Sequence, residues 1–221
     1  MPLSRKLLVE FIGTFFLVYT VCMATNPRTG AGVLAPLAIG AVLMVMVFAG
    51  GHISGGHYNP AVSTAVLIRG RMLSNQWVGY VVTQLVAAAL AALLARAVSG
   101  AGHAGPLAST WKMLVVEFVF TFALAYVVLN VATARGTEGN SFYGLAIGFT
   151  VAAGAFAVGG VSGGAFNPAV ALGASVLGIF KWSHYWIYVV ANLLGGAAAA
   201  VVFLFTQPAE KLEGDVEAAR T

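Results

Sequence analysis

Ser54-Gly55-Gly56-His57-Tyr58-Asn59-Pro60-Ala61-Val62 is one of two closely similar stretches in this chain, and the other is Ser162-Gly163-Gly164-Ala165-Phe166-Asn167-Pro168-Ala169-Val170. Asn is a favoured helix N-cap, because its side-chain oxygen accepts a hydrogen bond from a backbone N–H of the first turn. Pro suits the first helical position, where its missing N–H costs nothing. Each stretch therefore predicts a glycine-rich loop followed by a helix that begins at Asn59 or Asn167. Once its oxygen caps the helix, the NH₂ group of each Asn is expected to point outward as a fixed donor.

The composition is that of a membrane protein. Hydrophobic residues make up 60% of the 221 residues and charged residues 8%, with a mean hydropathy of +0.91, whereas soluble domains carry roughly 25% charged residues. This length supplies six spans of about 20 residues and leaves little for a separate soluble domain. We therefore expect one transmembrane domain over residues 1–206 and a charged cytoplasmic tail over 207–221 that lies in water without a fixed partner. The net charge of +4 is dispersed over the span ends and does not indicate nucleic-acid binding.

Hydropathy predicts six membrane-spanning helices, near residues 5–24, 33–51, 76–96, 111–134, 142–159 and 184–206. The apolar segments 60–68 and 168–179, which follow the two Asn residues, are too short to cross a bilayer. Such segments are typical of re-entrant half-helices, whose loops survive at membrane depth only where they border water or are buried in protein. The predicted fold class is an all-α membrane protein with six transmembrane helices and two re-entrant half-helices, in which residues 51–58 and 159–166 are extended.

An internal repeat relates the two halves of the chain. Glu10-Phe11 recurs as Glu117-Phe118, and Tyr80-Val81-Val82 recurs as Tyr188-Val189-Val190, each after about 108 residues. Each repeat holds three spans, an odd number, so the second repeat enters the membrane from the opposite side. Inverted repeats of this 3+3 kind place their site at the midplane, where discontinuous helices meet. The repeats cover about 5–99 and 111–206.

The basic residues predict the orientation, because Lys and Arg concentrate on the cytoplasmic side of membrane proteins. With a cytoplasmic N-terminus, seven lie inside (Arg5, Lys6, Arg69, Arg71, Arg135, Lys211 and Arg220) and four lie outside (Arg28, Arg96, Lys112 and Lys181). We therefore expect a multi-pass protein of the cell membrane with both termini in the cytoplasm.

The two Asn motifs predict a path for a neutral solute. Paired Asn donors form a polar station for a small molecule, and the loop glycines let backbone carbonyls turn toward a lumen. The half-helices also direct two positive dipole ends, each equivalent to about +0.5 charge, at the centre. That field opposes cations, including hydronium.

The chain resembles the aquaporin and aquaglyceroporin (major intrinsic protein) family over nearly its whole length. The resemblance is carried by the 3+3 repeat, by Glu10 and Glu117, and by two Asn-Pro-Ala motifs (Asn59, Pro60, Ala61, Asn167, Pro168 and Ala169). It implies a homotetramer in the lipid bilayer with one pore per subunit. It also implies that Glu10 and Glu117 anchor the loops by accepting backbone hydrogen bonds, although carboxylates inside a span also fit proton relays. The pore-loop residues are then Gly55, Gly56, Gly163 and His57, whose carbonyl and ring donor face the lumen or whose ring braces the loop.

The outer selectivity filter is where the sequence departs from this family. Family members set selectivity at four positions counted from the two motifs, and here these are Ile39, Ala155, Gly164 and Val170. The first is usually aromatic and the last is nearly always Arg, so this filter is expected to be wide, apolar and without a fixed charge. No basic residue replaces the missing Arg, because the candidates lie on the other face of the membrane or beyond the half-helix (Arg69, Arg71 and Lys181).

The sequence thus predicts a passive channel for water and small neutral solutes. Glycerol, urea and neutral metalloid or arsenic species are candidates, since some bacterial family members with Val at this position are associated with arsenic resistance. The alternative is a water-selective aquaporin, and the hypothesis from a different class is a proton-coupled secondary transporter that uses Glu10 or Glu117. We expect no enzyme, no metal and no cofactor, because no catalytic or metal-ligand cluster is present and the histidines are scattered (His52, His57, His103 and His184).

Overall fold

The computed structural model describes residues 1–210. These residues form eight α-helices, in chain order α1 (Leu3–Thr25), α2 (Ala35–Ser54), α3 (Pro60–Ile68), α4 (Ser74–Ser99), α5 (Thr110–Thr133), α6 (Tyr143–Ser162), α7 (Pro168–Leu177) and α8 (Tyr185–Thr206). Six are long and apolar enough to cross a bilayer, whereas α3 and α7 have 9 and 10 residues. Short 3₁₀ turns lie at Gly32–Leu34, Arg135–Thr137 and Trp182–His184. The prediction of six spans and two half-helices is confirmed.

The two halves of the chain have the same packing order and opposite directions. In the first half α1 packs on α2 and α4, and in the second half α5 packs on α6 and α8. One cavity is bordered by Lys6, Arg71 and Arg135, so the start of α1 and the ends of α3 and α5 share a face, here called the N-terminal face. The half-helix α7 ends instead at Leu177, whose carbonyl accepts from the N–H of Gly102 on the opposite face. The halves are therefore inverted.

The extended loops are shorter than predicted. Helices α2 and α6 continue through Ser54 and Ser162, so only residues 55–59 and 163–167 between them and the half-helices are non-helical. The expectation that extended backbone starts at residues 51 and 159 is wrong. A glycine in a helix costs only about 1 kcal/mol, whereas an unsatisfied backbone group at membrane depth costs several. The helical hydrogen bonds therefore persist until a left-handed glycine ends each helix.

Glycines let the helices of the two halves come close together. A Cβ atom added to Gly40 of α2 would lie 2.6 Å from the carbonyl oxygen of Gly148 in α6, and one added to Gly148 would lie 2.4 Å from that of Gly40. In the same way, a Cβ on Gly196 of α8 would lie 2.4 Å from the carbonyl oxygen of Ala61 in α3. Small residues of this kind are typical of tightly packed helices in membranes. The half-helix α3 thus rests directly on the backbone of α8.

We expect Gly196→Ala to destabilise the protein by about 1–3 kcal/mol, because the added methyl group meets backbone that cannot move aside cheaply. The matched control is Gly159→Ala in α6, where an added Cβ has no atom within 4 Å. This control is expected to be neutral or to stabilise the helix by up to about 1 kcal/mol. The thermal unfolding midpoints of both variants, measured in detergent, check these two expectations. Equal midpoints for the two variants would contradict the close packing of α3 on α8.

The segment after α8 folds onto the N-terminal face. Gln207 donates through Nε2 to Asn130 Oδ1 at 2.7 Å, and Glu210 is only 5% exposed. The expectation of a tail in water without a fixed partner is therefore wrong for residues 207–210, and the rest of that prediction, residues 211–221, lies outside the described part of the chain. Residues 207–210 stay on this face because Glu210 forms an ion pair with Arg69 at the end of α3, whose side chain is fully buried.

The Arg69–Glu210 pair joins three helices at this face. The guanidinium of Arg69 donates to the carboxylate and the main-chain oxygen of Glu210, and to the side-chain and main-chain oxygens of Thr133 at the end of α5. It also lies 5.1 Å from the centre of the Phe203 ring in α8. The other carboxylate oxygen of Glu210 accepts from the N–H of Arg135 at 2.7 Å. The ends of α3, α5 and α8 are therefore held by one buried network.

Candidate functional site

Each half-helix begins at a capping Asn. Asn59 Oδ1 accepts from the N–H of Ala61 at 2.8 Å, and Asn167 Oδ1 accepts from the N–H of Ala169 at 2.9 Å. Both Asn residues have extended backbone, with φ of −156° and −159°. A cap of this type satisfies one of the first-turn donors that would otherwise lack a partner. The cap also fixes which end of each amide is free to act as a donor.

The NH₂ groups of the two Asn residues are shared between the two halves. Asn59 Nδ2 donates to the carbonyl of Phe166 at 2.9 Å, and Asn167 Nδ2 donates to the carbonyl of Tyr58 at 2.9 Å. Each NH₂ group has two hydrogens, so one remains available on each Asn. The expectation that the whole NH₂ group points outward is therefore wrong for one of its two hydrogens, which binds the carbonyl of the opposite loop.

The residue before each Asn has a left-handed backbone, with φ of +49° at Tyr58 and +50° at Phe166. Such a conformation is uncommon for a bulky residue and costs of order 1–3 kcal/mol. Buried packing holds both rings in place. A Cβ on Gly13 would lie 2.1 Å from the Tyr58 ring, and a Cβ on Gly154 would lie 2.7 Å from the Phe166 ring. The rings fill spaces that only glycine leaves open, and this packing sets the direction of the adjacent carbonyls.

The first loop is tied to α1 through a buried carboxylate. Glu10 Oε1 accepts from Ser54 Oγ at 2.7 Å and from the N–H of His57 at 3.0 Å. Its Oε2 accepts from the N–H of Tyr58 at 2.7 Å and from Gln84 Nε2 at 2.9 Å. Four donors therefore surround one carboxylate, which is about the number that its two oxygens can accept.

The second loop is tied to α5 in the same way. Glu117 Oε1 accepts from Ser162 Oγ at 2.6 Å and from the N–H of Ala165 at 3.0 Å, and its Oε2 accepts from the N–H of Phe166 at 2.8 Å. The loop N–H groups, which are buried at membrane depth, thus have acceptors despite the absence of helix. Both carboxylates lie behind the loops rather than along the cavities described next.

An outer cavity of about 450 Å³ opens to the face opposite the N terminus. Nine of the predicted site residues line it together: Ile39, Gly56, His57, Asn59, Ala155, Gly163, Gly164, Asn167 and Val170. Over the described residues, this lining includes no Asp, Glu, Lys or Arg, and its titratable side chains are His57 and His103. The outer cavity is therefore a mostly apolar chamber with two amides at its inner end.

A second cavity of about 820 Å³ opens to the N-terminal face. His57 lines both cavities and therefore lies between them, and Gly55 lines only this second one. Lys6, Arg71 and Arg135 border this cavity, which is therefore more polar than the outer one. The remaining predicted motif residues line neither cavity, because they form the buried first turns of the half-helices (Pro60, Ala61, Pro168 and Ala169).

Comparison with known protein families identifies the family that has this arrangement. A family model described as major intrinsic protein matches residues 1–50 and 37–203, which together cover most of the chain. The chain belongs to the major intrinsic protein family. Members are membrane channels for water and small solutes, so this major intrinsic protein is a channel and not an enzyme.

Among known relatives, this major intrinsic protein is similar to plant aquaporins. Aquaporin NIP1-1 of Arabidopsis thaliana is 37% identical over 220 residues, which cover 91% of this chain and 73% of the relative. Aquaporin NIP1-3 of Oryza sativa subsp. japonica is 35% identical over 207 residues, which cover 89% of this chain and 72% of the relative. The likeness thus extends over nearly the full transmembrane region.

The fold of this major intrinsic protein is also similar to a solved structure, the aquaglyceroporin from Plasmodium falciparum. The TM-score is 0.80 at 20% sequence identity, and the match covers 96% of this chain and 100% of the other. At this identity the comparison shows the shared fold alone. It agrees with the inverted arrangement of six spans and two half-helices described above.

Several lining residues of this major intrinsic protein were missed by sequence reasoning. Phe180 lines the outer cavity, stacks on Tyr188 with ring centres 4.8 Å apart, and fills the space beside Gly163. His103 reaches the same cavity from the segment between α4 and α5. Neither residue belongs to an Asn-Pro-Ala motif or to one of the four filter positions counted from these motifs. The sequence pattern therefore did not indicate them. The repeat could have indicated the symmetric apolar wall from α1 and α5, which consists of Leu17, Val21, Leu124 and Val128.

Proposed function

We propose that this channel admits neutral solutes larger than water, with glycerol, urea and neutral metalloid or arsenic species as candidates. The proposal rests on the lining of the outer cavity, in which Ile39, Ala155, Gly164 and Val170 lie together without an Arg or Lys side chain from the described residues. A constriction of this kind has less bulk and fewer donors than one with an aromatic ring and a guanidinium. Selectivity then depends on apolar walls followed by the two Asn donors.

The test is stopped-flow measurement on proteoliposomes with the wild-type chain. Water, glycerol, urea and arsenite are each expected to cross faster than in empty liposomes. A gain for water alone would overturn the proposal in favour of a water-selective aquaporin. Solute flux that saturates and disappears on adding a proton uncoupler would favour a proton-coupled transporter instead.

Within this proposal, Glu10 and Glu117 anchor the loops and do not move protons. Support comes from their contacts, because each carboxylate accepts from loop N–H groups and from a serine hydroxyl. Asn59 and Asn167 supply the central donors, each through the hydrogen that the opposite loop leaves available. Cation exclusion depends on these donors and on the two positive helix ends, each equivalent to about +0.5 charge.

We further propose that residues 1–206 form one channel domain, that the protein forms a homotetramer in the cell membrane, and that its N-terminal face is cytoplasmic. The orientation is supported by the Lys and Arg residues of the described chain, of which five belong to that face (Arg5, Lys6, Arg69, Arg71 and Arg135) and four to the opposite one (Arg28, Arg96, Lys112 and Lys181). The tetramer is supported by the resemblance to the family, which implies it. Native mass spectrometry of the detergent-solubilised protein tests the tetramer, and a monomeric mass would contradict it.

A further inference from the structure

The two re-entrant loops differ at His57, the residue that lines both cavities. His57 and Ser63 occupy positions that Ala165 and Ala171 take in the second half of the chain. His57 Nδ1 lies 3.1 Å from Ser63 Oγ, and the imidazole packs edge-on against the Tyr80 ring, with ring centres 5.2 Å apart. One half of the channel therefore has an imidazole ring here that is held by Ser63 and Tyr80, whereas the other half has only the methyl groups of two alanines.

A buried chain of hydrogen bonds leads from this ring to α1. Both oxygens of Glu10 accept backbone N–H groups of the loop, so the carboxyl group acts as an acceptor on both sides. The Gln84 group that faces it at 2.9 Å must then be the NH₂ group. The same nitrogen lies 3.1 Å from Ser63 Oγ, so its second hydrogen goes to the serine oxygen. Glu10 thus sets the direction of Gln84, and Gln84 sets that of Ser63.

The hydroxyl hydrogen of Ser63 has one acceptor among the described contacts, His57 Nδ1. Other residues of the half-helices, Thr64 and Ser175, donate to the carbonyl four residues earlier at 2.8 Å, and the described contacts include no such bond for Ser63. A hydrogen on Nδ1 would leave the buried hydroxyl hydrogen without an acceptor, which costs about 1–3 kcal/mol. Nδ1 is therefore the acceptor, and the ring hydrogen is on Nε2.

We propose that Glu10, Gln84 and Ser63 fix His57 in the Nε2–H tautomer, so that the ring is a permanent hydrogen-bond donor between the two cavities. A Cβ atom added to Gly55 would lie 2.9 Å from Nε2 of His57, so this nitrogen lies beside Gly55. Gly55 borders the cavity of the N-terminal face. A solute oxygen that enters from this face meets the donor before it reaches Asn59. His57 is then a specificity-determining residue, and Ser63 is a positioning residue that acts through it.

The tautomer can be measured without any solute, so this test is independent of the proposed cargo. The protein is labelled with ¹⁵N-histidine, reconstituted in lipid, and studied by solid-state NMR, in which protonated and bare ring nitrogens have well-separated shifts. The His57 signals are assigned by their loss in His57→Gln. We expect a protonated Nε2 and a bare Nδ1 in the wild type. A protonated Nδ1 would overturn the proposal.

Variants test whether Ser63 sets the tautomer. Ser63→Ala is expected to give a mixture of both tautomers, and Ser63→Thr, which keeps the hydroxyl, is expected to match the wild type. The matched control is Ser175→Ala, which removes a buried hydroxyl from α7 that binds Ala171 and not the ring. Its His57 signals are expected to stay unchanged. A Ser63→Ala spectrum identical to the wild type would also overturn the proposal.

Flux gives a second readout that a purely structural role would not produce. Two equally populated tautomers leave the donor in half of the channels, so Ser63→Ala is expected to lower urea flux about twofold with water flux unchanged. Ser63→Thr is expected to restore the wild-type ratio of urea to water flux. An equal fall in water and urea flux would assign Ser63 a purely structural role and contradict its effect on specificity.

Discussion

Val170→Arg is expected to lower glycerol and urea flux by about tenfold or more, which corresponds to an added barrier of at least about 1.4 kcal/mol. Val170 is buried in the wall of the outer cavity, with Ile39, Ala155 and Gly164 in the same lining. An arginine there adds both bulk and a fixed positive charge to a chamber whose described lining includes neither Lys nor Arg. Water, which is smaller, is expected to lose much less flux. Stopped-flow measurement of both fluxes in proteoliposomes checks this result.

The charge and the bulk of the new side chain can be separated. Val170→Leu adds volume alone, so it is expected to lower glycerol flux without changing the leak of protons. Val170→Arg is expected to lower both the glycerol flux and the proton leak. The proton leak falls because a positive charge in a cavity with low-dielectric walls opposes cations. Wild-type glycerol and urea flux that survives Val170→Arg unchanged would show that the constriction lies elsewhere.

Glu210→Gln is expected to destabilise the protein by about 3 kcal/mol, because it removes the carboxylate from the buried guanidinium of Arg69. Arg69 is only 2% exposed, so water cannot take the place of the carboxylate beside its guanidinium. The double variant Arg69→Leu/Glu210→Leu is expected to recover much of the loss, since it leaves no buried charge behind. The control is Glu138→Gln, a change of an exposed carboxylate on the same face, with an expected effect within about 0.5 kcal/mol. Thermal unfolding in detergent measures all three.

The same network predicts how stability depends on pH. Burial raises the pKa of Glu210, but hydrogen bonds from the N–H of Arg135 and from Arg69 outweigh burial, so this pKa lies below its usual value of 4.5. A carboxyl group with a lowered pKa in the folded state stabilises the protein above its unfolded-state pKa. Its contribution is therefore complete above about pH 4.5 and is lost as the pH falls through the folded-state pKa. A Glu210→Gln variant that loses as much stability as the wild type over this acidic range would contradict the assignment.

The half-helices and their caps could be predicted from the sequence because they depend on local chemistry. Asn followed by Pro indicates that a helix begins at that point, as α3 and α7 do after Asn59 and Asn167. The three spans in each repeat, an odd number, indicated the inverted architecture. The four filter positions, which the resemblance to the family implies, also line one cavity. Their role in selectivity stays a prediction that the flux experiments test.

Features that depend on distant contacts could not be predicted. The buried position of Glu210 requires the ends of α3, α5 and α8 to meet, and nothing near residue 210 indicates this. Gln84 and Glu10 are 74 residues apart in the chain, so their hydrogen bond has no local signal. The helix ends at Ser54 and Ser162 lie later than the sequence predicts, because the glycines of these segments favour early helix ends. The apolar surroundings instead favour keeping every backbone hydrogen bond of the helix.

The exchange of hydrogen bonds between Asn59 and Phe166, and between Asn167 and Tyr58, has a consequence for biosynthesis. The ribosome makes the first Asn long before the second, so the middle of the conduit stays incomplete until most of the polypeptide has been inserted. Two separately expressed fragments, divided between α4 and α5, would each lack the other's carbonyl and would have to associate before either could conduct.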